Sequence, residues 1–174
     1  MLLLQIFTIA VLLTVFVQDI SSRSVYWILF PLLATLFINL RLLAHQPEAE
    51  IWHPALINCG FLLVQLLLVS AYFSLKKGYW VNITTQLLGW GDILLLICTA
   101  LYLSVINFLF FYVFSLVVSL SFWLIWQLLV NKKSKEIPLA GLQAFIFTVF
   151  LASDWWYLHH NLTDDNWLLH LMIK

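Results

Sequence analysis

This sequence predicts an all-α membrane protein, a bundle of six transmembrane helices in a single domain, on three observations. Of its 174 residues 64% are hydrophobic and only 9% charged, whereas a soluble domain carries roughly 25% charged residues and so has polar surface for every side. Its mean hydropathy is +1.01. The apolar residues also gather into runs close to the ~20 residues needed to cross a ~30 Å hydrocarbon core.

The runs cover residues 2–18, 25–44, 54–75, 92–106, 107–130 and 138–157. The first has no basic flank before it and no small-residue cleavage site, and Arg23 follows it. It therefore reads as a retained helix and not as a secretory signal. The fourth and fifth come from one 38-residue stretch, Ile93–Val130. At ~1.5 Å per residue that is too long for a single crossing, and the polar Ser104-Val105-Ile106-Asn107 is the expected turn. Residues 78–92 are neither charged nor uniformly apolar and are expected at the interface, with Tyr79, Trp80 and Trp90 in an aromatic belt. Residues 158–174, which include "TDDNWLLHLMIK", read as an amphipathic tail on the outer surface.

Six crossings put Arg23, Lys76, Lys77, Lys132, Lys133 and Lys135 on one side, and Arg41, Lys174 and most acids on the other. Basic residues favour the cytoplasmic face, so both termini are expected outside a cell (inner) membrane. Eight basic and eight acidic residues balance. Net charge points to neither nucleic acid nor an acidic partner, and no nucleic-acid partner is expected; the bilayer is. Cys59 and Cys98 lie in apolar runs without the spacing of a zinc or redox motif. His45, His53, His159, His160 and His170 all fall on the outer side without the preorganised set that zinc requires, so no metal or cofactor is expected.

Two acids stand apart. Asp19 closes the first span and Asp92 opens the fourth, 73 residues later, yet alternation places both at the cytoplasmic side. Ionisable groups at span edges usually face a bundle interior or a wet cavity. Two carboxylates brought together share a proton, which supplies an acid and a base from one residue type. By helix-end position, Asp92 at an N-terminus is expected to hold the charge and Asp19 at a C-terminus the proton. The plainer alternative makes Asp92 a helix cap and Asp19 a solvated interfacial residue.

Three blocks carry a family resemblance. "GWGD", Gly89–Asp92, matches the Gly-x-Gly-Asp signature of membrane aspartic peptidases. "DISSRSVYW", Asp19–Trp27, and "KEIPLAGLQAF", Lys135–Phe145, look like the first-helix motif and the final basic loop and helix of type IV prepilin and preflagellin peptidases. The resemblance spans residues 1–157. It implies a prepilin-peptidase-like aspartic endopeptidase that cuts the basic leader from prepilin-like membrane precursors of a pilus-like system. Asp19 and Asp92 would be catalytic, and Gly89 and Gly91 would admit the substrate backbone. Arg23, Glu136 and Pro138 would shape the site, with Glu136 a contact for leader lysines.

The sequence departs from the family pattern at Val25-Tyr26-Trp27, at Leu94 and in having no second proline after Pro138. The loop after Arg23 is too short for the cysteine-rich insertion of bifunctional members, which implies no N-methyltransferase activity. Two rivals use the same acids differently. A small proton-coupled transporter would need them near the bilayer midplane, and a non-catalytic membrane assembly factor would use them only as caps.

Overall fold

The computed structural model describes residues 1–78, 89–130, 138–158 and 161–165. Among these the chain is all-α, with six helices: α1 (Leu2–Ser22), α2 (Leu29–Leu43), α3 (Glu48–Lys77), α4 (Trp90–Tyr102), α5 (Val105–Val130) and α6 (Leu139–Ser153). A π-turn over Asp154–Leu158 prolongs α6. Four helical stretches are long and apolar enough to cross a membrane: α1, α3, α5 and α6 with its π-turn.

The other two are shorter than the apolar runs that suggested them. α2 has 15 residues and α4 has 13, about 20 Å each at ~1.5 Å per residue. α2 starts late because the chain turns first: Leu29 N–H donates to Tyr26 O at 3.1 Å, and Tyr26 N–H to Gln18 Oε1 at 3.1 Å. α3 starts six residues earlier than its apolar run, with Pro47 as N-cap and Glu48 and Glu50 in the first turn, where acidic groups suit the helix dipole. The break between α4 and α5 falls at the leading edge of the expected turn, at Leu103–Ser104, and Val105–Asn107 are already helical. Leu103 is extended (φ −81°, ψ 147°), and α5 begins at Val105.

A short helix end inside a bilayer must have its backbone groups satisfied by protein. At this end of the bundle, buried side chains do so. Asn58 Nδ2 donates to Ala100 O at 3.2 Å and Leu103 O at 3.1 Å. Arg41, 1% exposed, donates to Leu101 O at 3.2 Å, Gln46 Oε1 at 2.9 Å and Glu50 O at 2.6 Å. The last contact repairs a specific loss, because Pro54 lies four residues after Glu50 inside α3 and has no N–H to offer that carbonyl.

Residues 161–165, within the stretch 158–174 expected to form a tail, pack against the same end. Leu162 is 2% exposed, and its carbonyl accepts from Ser104 N–H at 3.2 Å and Asn107 Nδ2 at 3.1 Å. Asp165 caps α5 from outside that helix, accepting Ile106 N–H at 3.1 Å. The packing of Leu162 and the unsatisfied start of α5 hold this segment in the bundle. Residues 166–174, the expected amphipathic helix, lie outside the described residues, as do His159, His160 and His170.

α6 is central and packs against α1, α4 and α5. Its Phe147 ring lies 4.9 Å from that of Phe111, tilted, and 5.6 Å from that of Phe37, edge-on. Buried Leu12, Val15, Leu33 and Leu95 complete the interior, while the outward faces of α3 and α5 carry exposed leucine, valine and phenylalanine, as lipid contact requires. Replacing Arg41 with methionine takes the donor from three acceptors at once. We expect it to lower stability by about 2–4 kcal/mol, read from unfolding in detergent followed by tryptophan fluorescence, with Arg41→Lys intermediate.

Candidate active site

Asp19 continues the buried stripe of α1. Thr8, Val11, Leu12 and Val15 precede it at helical spacing, so the carboxylate faces the bundle from the last turn of that helix. Asp92 is the third residue of α4, after the N-cap Gly89, and its Oδ2 reaches back to accept Gly89 N–H at 3.0 Å. The two side chains are 8% and 9% exposed, respectively.

They meet at the start of α6. Pro138 is the N-cap of that helix and has no hydrogen-bonding side chain, so the first N–H groups of α6 have no local partner. Gly141 N–H donates to Asp19 Oδ2 at 2.6 Å, and the preceding N–H, that of Ala140, serves Asp92. Neighbouring amides of one helix thus hold carboxylates from two others, near enough for their charges to interact. The residues at positions 19 and 92 share one end of the bundle, the end that also carries Arg23.

This geometry removes the expected distinction between the acids. Asp19 does close its own helix, but the N-terminal amides of α6 face it as closely as the amides of α4 face Asp92. Helix-end charge therefore favours an ionised carboxylate at both positions. Arg23 adopts a left-handed conformation (φ 51°) and its N–H donates to Asp19 O at 2.9 Å. It thereby ends α1, while its positive charge acts on the Asp19 carboxylate.

The glycines divide by role. A Cβ at Gly89 would approach Asp92 Oδ2 to 3.3 Å, whereas one at Gly91 would make ordinary contacts of 3.7 Å with Ala140 and Phe30. Gly141 is the tightest: a Cβ there would lie 2.9 Å from Asp19 Cβ, 3.0 Å from Asp19 Oδ2 and 3.2 Å from Phe16 O. Residue-by-residue reading of the sequence missed Gly141 and Ala140, although two small residues just after a helix-starting proline are a signal of close approach.

Trp90 is 64% exposed, as a membrane-interface aromatic would be. Glu136, Tyr79 and Trp80 lie outside the described residues. No group of three or more metal-ligating side chains gathers among the described residues.

Compared with models of known protein families, with curated proteins and with solved structures, the chain finds no match.

The contrast between the glycines gives a direct test. Gly141→Ala is expected to displace Asp19 and cost about 1–3 kcal/mol. Gly91→Ala should stay within about 0.5 kcal/mol of the parent or exceed it. Detergent unfolding midpoints of the two variants measure the difference.

Proposed function

We propose that the chain is a membrane aspartic endopeptidase that cleaves prepilin-like precursors near the cytoplasmic end of their membrane segment. The single observation that carries the reading is the convergence of Asp19 and Asp92 on the amino end of α6, buried and within each other's field. Their position at helix ends, away from mid-span, favours hydrolysis at the membrane surface over transport through the midplane. The Gly-x-Gly-Asp motif at Gly89–Asp92 and the blocks around Asp19 and Pro138 supply the substrate class by resemblance.

In this reading one carboxylate of the pair is ionised and the other protonated. The first takes a proton from a water held between them as the water oxygen attacks the scissile carbonyl carbon. The second donates its proton to the carbonyl oxygen. Collapse of the resulting diol breaks the carbon–nitrogen bond, and a proton passes to the leaving amine. The Gly141 and Ala140 amides keep the two acids aimed at one point throughout. The proposed location is the inner membrane, with both termini outside.

A second reading has its own support in the hydrogen bonds: the carboxylates cap α6 and do nothing more. Asparagine separates the two, because its side-chain oxygen caps as well as that of aspartate but neither accepts nor supplies the catalytic proton. In cells co-expressing a prepilin-like substrate, we expect the wild type to release the leader. Asp19→Asn and Asp92→Asn should each process it about 10²–10⁴-fold more slowly while keeping the parent's melting temperature. Equal processing by parent and variants would leave capping as the whole role of the pair.

A further inference from the structure

The helix ends of this bundle are well satisfied, but one interior face is not. On α5, Ser115, Ser119 and Trp123 follow at four-residue spacing and so share a face. Ser115 and Ser119 are fully buried, as is Gln143 of α6. Gln143 Nε2 touches Ser115 Oγ at a long 3.4 Å. Ser119 Oγ, Trp123 Nε1, Gln143 Oε1 and, from α3, Gln65 Oε1 are buried with no hydrogen-bond partner among the described residues. In a membrane such groups have no water to turn to, and four of them, two on α5 and one each on α3 and α6, call for a ligand.

The position of this face relative to the carboxylates follows from the packing. α5 and α6 run antiparallel, since Phe111 meets Phe150 and Phe147 while Ser115 meets Gln143. Ser119 lies one turn further along α5, ~6 Å towards the start of α6, which brings it to the level of the Asp19 and Asp92 contacts. Gln143 is three residues after Ala140 and shares its side of α6, the side that serves Asp92. A small cavity of ≈ 40 Å³ between α3, α4 and α5, lined in part by Gln65, Tyr112 and Ile93, adjoins the same region. Beyond Ser119, α5 is bare: Phe122, Leu124, Ile125, Trp126 and Leu128 are all more than half exposed.

We propose that this face is a binding strip for the main chain of an apolar peptide segment held in extended form, admitted from the lipid side as α5 leans outward. The chemistry matches a peptide backbone. Trp123 Nε1–H can only donate, the Gln143 and Gln65 amide oxygens can only accept, and the Ser119 hydroxyl does either. Polar groups one helical turn apart recur every ~6 Å, close to the ~6.6–6.8 Å between alternate residues of an extended chain. A helical segment has no free backbone groups to offer; an extended one has them all. The identity of the ligand as a substrate rests on the peptidase reading, whereas the existence of the strip does not.

The test uses the full chain in lipid nanodiscs, in the Asp92→Asn background so that binding is read without cleavage. The probe is a synthetic peptide of about 20 apolar residues behind a short polar leader, the length set by one membrane crossing, with a photoreactive side chain near the leader junction. Crosslinks are expected on α5 and α6 near Ser119, Trp123 and Gln143. Ser119→Ala, Trp123→Phe and Gln143→Leu should each cut the yield several-fold. The first two should leave the melting temperature equal or higher, because each removes an unmet polar group, whereas Gln143→Leu also loses the contact with Ser115. Unchanged yield in all three variants overturns the strip, as does a lowered melting temperature in Ser119→Ala and Trp123→Phe, which would mean that these groups are structural. Crosslinking that persists while the unsubstituted chain cleaves nothing would remove the peptidase reading and keep the strip.

Discussion

A helix that ends inside a membrane leaves backbone N–H or C=O groups that water cannot reach, and in this bundle side chains far away in sequence complete them. Asp19 and Asp92 satisfy the start of α6. Asn58 and Arg41 satisfy the end of α4, and Asp165 satisfies the start of α5. Each unpaired group in hydrocarbon would cost several kcal/mol, so these contacts fix where the short helices stop. They also fix how the helices sit against one another, because a capping side chain must stand within ~3 Å of the amide or carbonyl it serves. α4, with only 13 residues, depends on such contacts at both ends.

The same requirement makes the carboxylate pair precise. A carboxylate on a helix surface is free to rotate, but one that completes the first turn of another helix is held by that helix. Gly141 and Ala140 supply neighbouring amides, so the separation of the two acids follows the rigid geometry of a helix start and not the packing of long side chains. This is the kind of support a catalytic pair needs, since a misplacement of about 1 Å is enough to lose much of a rate. Capping and catalysis are therefore compatible demands on the same atoms. The fold needs acceptors at these positions, and the proposed chemistry would need acceptors that also carry a proton.

How much of this could be read from the chain follows from which interactions are periodic and which are contacts at a distance. The helices were legible, and so was the break at Leu103–Ser104, because apolar periodicity and a polar interruption are local. That Asp19 and Asp92 lie at one end followed from counting crossings alone; that they meet on the start of α6 did not. The start of α3 was not legible from hydropathy, because Glu48–His53 is too polar for an apolar window although Pro47 and the two glutamates form an ordinary helix start. Gly141 was invisible for a different reason. Its importance is a 2.6 Å contact with a residue 122 positions away; the two small residues after Pro138 signal a close approach but not which residue makes it. The packing of Leu162 was not legible for the same reason, since its partners are Ser104 and Asn107.

Satisfied ends and an unsatisfied face imply different mechanics for different parts of the molecule. α1, α4 and α6 are joined by hydrogen bonds from the Gly141 and Ala140 amides to the carboxylates of Asp19 and Asp92, and moving any one of these helices would strand an amide at the start of α6. α5 is joined to that set at its Ser104–Asn107 end, where Asp165 and Leu162 hold it. Further along, its polar atoms at 119 and 123 gain nothing from the closed arrangement. The free-energy cost of leaning that half of α5 away from α6 is lowered by the partners those atoms would find once exposed to a peptide or to water. The bundle is thus rigid where the acids must be held and least committed along the helix next to them. A site that must keep two carboxylates fixed and still admit a polymer would place its compliant element there.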